Sequence, residues 1–125
     1  MNITRKYGFS SEINTTDDIQ GIGIFLYSQA TQLTRILDKF QFGLDAINKS
    51  ASIPYDSKRI CLLGVARDAS DQLALIGKDT AVFVDRVLGK FPEESALIRK
   101  IQNALRYNLN LAANILERHT RPLAA

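Results

Sequence analysis

The stretch "LLGVARDASDQLALIGKDTAVFVDRV", residues 62–87, decides between a helical and a mixed fold. Its last seven residues, "AVFVDRV" (81–87), are rich in the β-branched and aromatic side chains that favour a strand. Across the whole stretch, however, mainly apolar and small residues step by four and three, which is the heptad pattern of a helix that packs along one seam. The residues of this seam are Leu62, Ala66, Ala69, Leu73, Ile76, Thr80, Phe83 and Val87. The longer pattern outweighs the shorter one, and the sequence predicts a helix.

A proline-containing break precedes this helix. In "SASIPYDS" (50–57) the proline at position 54 disfavours helical backbone at Ile53. The break therefore ends a first helix, which is predicted over about residues 17–49 behind a cap at Thr15.

A second break, "KFPEE" (90–94), follows it. The central helix is predicted to begin at about residue 56 and to end near Gly89, which suits a left-handed C-cap. Pro92 suits the first position of a third helix. That helix is predicted to end by about His119, before Pro122.

These segments predict an all-α protein, an antiparallel bundle of three long helices with an extended N-terminal arm. The length of 125 residues, with 46% hydrophobic and 23% charged residues, fits a single domain over residues 1–125 in which 1–15 form a flexible or extended arm. Gly77 is the weak point, because a break there would give four helices. We favour the alternative that Gly64 and Gly77 mark close approach between helices.

Some large apolar residues do not fit the predicted core faces. The core face of the first helix consists of Ile22, Leu26, Leu33, Ile36, Leu37, Phe40, Leu44 and Ile47. Ile24 and Phe42 lie on the opposite, polar face, and Tyr27 lies near its edge. In the second helix Leu75 and Val82, seven residues apart, lie among the charged residues Arg67, Asp71, Lys78 and Asp85. Single exposed hydrophobic residues are common. We favour a second interpretation, in which these residues contact copies of the chain or another protein.

The third helix has a continuous polar face opposite its apolar arc. Its residues are Arg99, Asn103, Arg106, Asn110, Asn114 and Arg121. Arginine and amide side chains both donate hydrogen bonds to phosphate oxygens, so this face could follow a nucleic-acid backbone. The segment matches no nucleic-acid-binding motif, however, and a charged helix face is most often simply solvated. Protein contact is the third interpretation.

Two polar residues interrupt the apolar arc of the third helix. Asn108 is predicted to be buried and to fix the register or the oligomeric state, in which case Asn108→Leu should raise thermal stability and loosen that state. His119 is predicted to be a fraying or capping residue in the final turn.

Residues that could carry out chemistry are few. The chain has one His and one Cys, and Cys61 lies in an apolar run and is predicted to be buried. No Glu-x-x-His pair or complete dinucleotide loop is present, so no catalytic residue, metal or other cofactor and no small-molecule substrate is expected. No apolar run is long enough to span a membrane, and no signal peptide is visible, so a cytoplasmic location is expected.

The sequence predicts a non-catalytic helical assembly or adaptor subunit that acts through protein–protein contacts and self-associates. One alternative is a small nucleic-acid-binding subunit that uses the polar face of the third helix. Another is a helical inhibitor or immunity protein that occludes a target.

Overall fold

Three long helices pack against one another in a computed structural model that describes residues 7–9 and 20–124, with side chains for 7–9 and 24–122. Helix α1 spans Gln20–Lys49, α2 spans Tyr55–Lys90 and α3 spans Ser95–Ala124, with a 3₁₀ turn at Pro92–Glu94 before α3. The described residues contain no strand. The predicted all-α bundle of three helices is confirmed, and the segment 81–87 lies within α2. Because α2 continues through Gly77, the four-helix alternative is wrong.

The start of α2 follows from the proline break. Pro54 has the extended backbone angles φ −60° and ψ 153°, and its carbonyl accepts a hydrogen bond of 2.9 Å from the Lys58 amide. Helix α2 therefore begins at Tyr55, next to the predicted position. The predicted start of the first helix near residue 17, and its cap at Thr15, lie outside the described residues.

The predicted end of α2 near Gly89 is confirmed but its left-handed C-cap is wrong, and the predicted end of α3 by His119 is wrong. Gly89 lies inside α2 without a left-handed backbone angle, and the helix closes at Phe91, whose amide donates to the Val87 carbonyl at 2.9 Å. Helix α3 continues past His119 through Pro122. A proline there removes a single amide donor in the last turn, which leaves the rest of the helical ladder in place.

The predicted core faces pack inward. Along the α2 seam Ile76 and Phe83 are half-buried and the other six residues are buried. On α1 the predicted core residues from 26 to 44 are buried and Ile47 is half-buried, while the side chain of Ile22 lies outside the described set.

Two apolar clusters form the core. The larger contains Leu33, Phe40 and Leu73, and the smaller contains Leu26 and Leu105. Both clusters draw residues from more than one helix, so the seams seen in the sequence face one another.

Three pairs of residues fix the antiparallel register of α1 and α2. The rings of Phe25 and Phe83 stack with centroids 3.8 Å apart. Gln29 bonds to Thr80, and Gly43 lies beside Val65, where an added Cβ would be 3.1 Å from Val65 Cγ1. The close approach of helices is therefore at Gly43.

The predicted close approach of helices at Gly64 and Gly77 is wrong. A Cβ at Gly64 would meet nothing within 4 Å, and one at Gly77 would lie 3.9 Å from Leu109 Cδ1, an ordinary contact.

Residues 7–9 of the predicted arm pack against the bundle. Phe9 is fully buried in the larger cluster, and the Tyr7 hydroxyl donates a hydrogen bond of 2.6 Å to Asp38 Oδ1. Gly8 has φ +81°, which favours glycine, and an added Cβ there would lie 3.4 Å from Leu111 Cδ2. The rest of the predicted arm lies outside the described residues.

A buried polar layer links the three helices. Gln29 of α1 donates from Nε2 to the Thr80 hydroxyl of α2 at 3.3 Å, and Asn108 of α3 donates from Nδ2 to Gln29 Oε1 at 3.4 Å. All three residues are buried, and no buried side-chain nitrogen or oxygen of the described residues lacks a hydrogen-bond partner. Asn108 is therefore buried as predicted, and Gln29 is the partner that sequence reasoning missed.

This layer changes the expected effect of Asn108→Leu. The substitution removes a donor to Gln29 Oε1, and leaving a buried polar group unpaired costs about 1–3 kcal/mol. We expect the free energy of unfolding, measured by chemical denaturation with circular dichroism, to fall by about that amount.

The matched control is the triple variant Gln29→Leu, Thr80→Val and Asn108→Leu, which removes the whole layer. Replacing every member with an apolar residue should recover most of the lost stability. A single Asn108→Leu variant more stable than the wild type would contradict a stabilising role for these hydrogen bonds.

Candidate functional site

Four large hydrophobic side chains are exposed on the outer side of α1 and α2. Ile24 is 61% exposed and Phe42 is 76% exposed on α1, while Leu75 is 62% exposed and Val82 is 53% exposed on α2. Ile24 and Phe42 are separated by five helical turns, and Leu75 and Val82 by about two, so each pair follows one line along its helix. We call the surface formed by these four residues the α1–α2 outer face. Tyr27, also predicted to lie in an interface, is half-buried.

Two adjoining grooves connect the two lines of this face. The first has a volume of about 520 Å³ and is lined by residues that include Phe42 and Cys61. The second has a volume of about 370 Å³ and contains Leu75. Ile36 and Gln72 line both grooves, so Phe42 and Leu75 border one continuous depression between α1 and α2.

Four charged residues lie along the side of α2 that is turned towards α3, since the first two of them line the groove between α2 and α3. Arg67, Asp71, Lys78 and Asp85 are all exposed. In the part of the chain that the structure describes, none of them forms an ion pair or a side-chain hydrogen bond. Their charges are therefore available to a second molecule.

Three further exposed residues were not singled out as interface residues from the sequence. Tyr55 is 83% exposed and Ile60 is 70% exposed at the start of α2, and Tyr107 is 54% exposed on α3. Ile60 precedes the first residue of the buried seam by two positions, which turns its side chain about 200° away from the core. Its exposure can therefore be predicted from the sequence. Tyr55 follows Pro54 directly, outside any periodic pattern.

The polar face of α3 is solvent-accessible along its length, because Arg99, Asn103, Arg106, Asn110, Asn114 and Arg121 are all exposed. Arg121 forms an ion pair of 2.9 Å with Glu117, so one of its arginines is already partnered. Asn110 and Glu117 also border a groove of about 760 Å³ between α2 and α3.

The remaining predicted residues lie elsewhere. Asn108 lies in the buried polar layer, away from the surface. His119 is exposed and lies edge-on to the ring of Phe40, with centroids 5.9 Å apart. Because α3 continues to Ala124, His119 does not cap the helix.

The prediction that Cys61 is buried is wrong, because its thiol is exposed. Cys61 precedes the buried seam residue Leu62 by one position, which rotates it about 100° away from the core. It lines the groove between α1 and α2 together with Gly43.

Residues 7–9 and 20–124 contain no group of three or more acids, His and Cys that could hold a metal ion. Over the same residues, none of the helices combines the length and apolar character that crossing a membrane requires.

The exposure of Cys61 predicts its reactivity. We expect a thiol reagent such as dithiobis-nitrobenzoate to label the native protein at a rate close to that in denaturant, because labelling requires no opening of the fold. The measurement is absorbance at matched pH, with Cys61→Ser as the blank. A native rate at least a hundredfold slower would contradict the exposed position.

Comparisons of the chain with models of protein families, with curated proteins and with solved structures give no match. A proposal about function therefore rests on the residues of this chain and on their positions in the bundle. On the α1–α2 outer face, exposed hydrophobic residues border a depression between the two helices.

Proposed function

We propose that the protein is a non-catalytic assembly subunit that self-associates through the α1–α2 outer face. The observation that carries the proposal is the exposure of four large hydrophobic residues, each more than half accessible, on the sides of two neighbouring helices that point away from the core. Fully burying one such side chain in a contact contributes about 1.5–3 kcal/mol of favourable free energy. Exposed hydrophobic residues of this size are enriched in protein interaction surfaces.

The non-catalytic part of the proposal rests on the composition of the grooves. The groove beside Phe42 holds Cys61, Lys39 and Asp68 without a histidine that could activate the thiol. The single histidine of the chain, His119, lies on α3 against Phe40. Carboxylates and cations at the groove rims suit ion pairing between proteins.

A charge placed in the outer face tests self-association. Val82→Asp should lower the mass in solution, measured by light scattering over a range of concentrations, because it would bury an unpaired carboxylate in the contact. Helical content should stay unchanged, and stability should change by about 0.5 kcal/mol or less, because Val82 contributes little to the core.

The matched control is Tyr107→Asp, which replaces a similarly exposed hydrophobic residue on α3. It should leave the mass unchanged. A wild-type protein that is monomeric at every concentration, or a Val82→Asp variant with the wild-type mass, would contradict the proposal. A heterologous target, as for an inhibitor or immunity protein, would then be the better hypothesis for this face.

The exposed polar face of α3 keeps nucleic-acid binding as a second candidate function. If the face binds phosphates, the double variant Arg99→Gln and Arg106→Gln should weaken binding to any sequence about equally and flatten the salt dependence by roughly two units. Fluorescence anisotropy with a labelled duplex and a labelled single strand measures both effects. We expect no binding by the wild-type protein at about 50 mM salt, where phosphate contacts are strong, because the net charge is only +3.

A further inference from the structure

A short segment of the N-terminal arm lies in a groove between α1 and α3. Phe9 is fully buried in the larger apolar cluster, and its ring centroid lies 5.7 Å from that of Tyr7. The Tyr7 hydroxyl donates a hydrogen bond of 2.6 Å to Asp38 Oδ1 of α1, and Gly8 lies beside Leu111 of α3. We call Tyr7, Gly8 and Phe9 the docking segment, and we call the surface of α1 and α3 that surrounds them the arm groove.

The docking segment makes the kinds of contact by which a groove recognises a short peptide. An aromatic ring in a closed apolar space contributes most to such binding, and a polar contact at its edge fixes the orientation. Phe9 makes the first contact and the hydroxyl of Tyr7 makes the second. Gly8 has φ +81°, a backbone conformation that other L residues rarely adopt. The arm groove is therefore suited to glycine between two aromatic residues.

The three helices are held together by contacts in which the docking segment takes no part. The buried polar layer joins Gln29, Thr80 and Asn108, and the rings of Phe25 and Phe83 stack with centroids 3.8 Å apart. The arm groove is thus formed by the bundle, and the segment fills it as a separate piece of chain. We expect the bundle to stay folded when the segment leaves the groove.

Two contacts fix the level of the arm groove along α1. Asn108 bonds to Gln29 and His119 packs against Phe40, so residues at one level of the parallel helices α1 and α3 differ by 79 in number. Leu111, which borders the docking segment, is therefore level with about residue 32 of α1. Helix α1 begins at residue 20, which is roughly 18 Å away along its axis.

The connection from the docking segment to α1 is longer than this distance requires. It consists of residues 10–19, which with their flanking bonds reach up to roughly 36 Å when extended. That reach is about twice the distance between the arm groove and the start of α1. The same connection therefore allows the segment to enter the arm groove of a neighbouring copy.

We infer that the arm groove is a binding site for the docking segment of a second copy of this chain. Every copy carries both the segment and the groove, so two copies that exchange arms keep all the contacts described above. The second copy then contributes Tyr7, Gly8 and Phe9 to a site formed by α1 and α3. Exchange depends on concentration, because the connection holds each segment near its own groove at an effective concentration on the order of millimolar.

This contact goes beyond the proposed association through the α1–α2 outer face. It uses the side of the bundle between α1 and α3, and its two components are a groove and a short segment instead of two helix surfaces. The two contacts are therefore tested separately.

A peptide that carries the docking segment tests the arm groove itself. The probe is a fluorescein-labelled peptide of residues 3–13, ITRKYGFSSEI. The protein is the full chain with Tyr7→Ala and Phe9→Ala, whose own arm no longer fills the groove. Fluorescence anisotropy should give a Kd on the order of 10–100 µM. Binding to the wild-type chain should be at least roughly tenfold weaker, because its own segment competes.

Two altered peptides are the matched controls. The peptide with Phe9→Ala should not bind at about 1 mM, because it lacks the ring that fills the apolar space. The peptide with Gly8→Ala should bind roughly tenfold more weakly, because alanine is strained at a positive φ. If circular dichroism shows that the chain with Tyr7→Ala and Phe9→Ala is unfolded, the full chain with Gly8→Ala takes its place and should bind the unaltered peptide more tightly than the wild-type chain does.

A mixture of two complementary variants tests the second copy as the occupant. One is the chain with Tyr7→Ala and Phe9→Ala, which has an intact groove. The other carries Leu111→Arg, which puts a charged side chain beside Gly8 and should displace an intact docking segment. Both also carry Val82→Asp, so that association through the outer face is removed. Light scattering should show each variant alone as a monomer and an equimolar mixture at about 200 µM as a one-to-one dimer.

The results separate this inference from the proposed function. A folded chain with Tyr7→Ala and Phe9→Ala that binds the peptide no more tightly than the wild-type chain does would overturn the arm groove as a binding site. Peptide binding without a dimer in the mixture would overturn the second copy as its occupant. Neither result bears on self-association through the outer face, which Val82→Asp tests in the otherwise unchanged chain.

Discussion

The buried hydrogen bonds among Gln29, Thr80 and Asn108 are the constraint on which the arrangement of the three helices depends. Apolar contacts tolerate sliding, because one methyl group can replace another at similar energy. A buried amide tolerates it poorly, since moving it away from its partner leaves a polar group unpaired in a dry core. Each helix contributes one member of the layer, so a slip of any helix by one turn breaks at least one bond. The layer therefore favours one register among several that the apolar seams alone would permit.

The relative positions of the outer-face residues depend on that register. Ile24 and Phe42 are placed by α1, and Leu75 is placed by α2, so only the alignment of the two helices sets them at common levels. The close contact at Gly43 and the stacked rings of Phe25 and Phe83 hold the same alignment on both sides of the polar layer. A core substitution that shifts α1 relative to α2 would therefore move the outer-face residues relative to one another, although it replaces none of them. Stability and the proposed association are coupled through this register.

Residues 7–9 of the arm cover part of the bundle between α1 and α3. Phe9 joins the larger apolar cluster and Tyr7 bonds to Asp38, which places these residues against helices α1 and α3. This side is therefore occupied by the chain itself. The outer side of α1 and α2 has no such cover among the described residues, which is why its hydrophobic side chains stay accessible.

The helices and their inward faces can be predicted from the pattern of residues along the chain. The heptad seam of α2, the breaks at Pro54 and Pro92 and the exposure of Phe42 and Leu75 follow from local periodicity, because side-chain direction in a helix repeats every 3.6 residues. Which distant residues meet is visible only in the packed bundle. Gln29 is separated by 79 residues from Asn108, and no local pattern marks it as a partner. The burial of Phe9 depends on a space between helices that distant segments of the chain enclose. Periodicity fixes directions around one helix axis, whereas contacts between helices depend on their relative register, which long-range packing and the buried polar layer set.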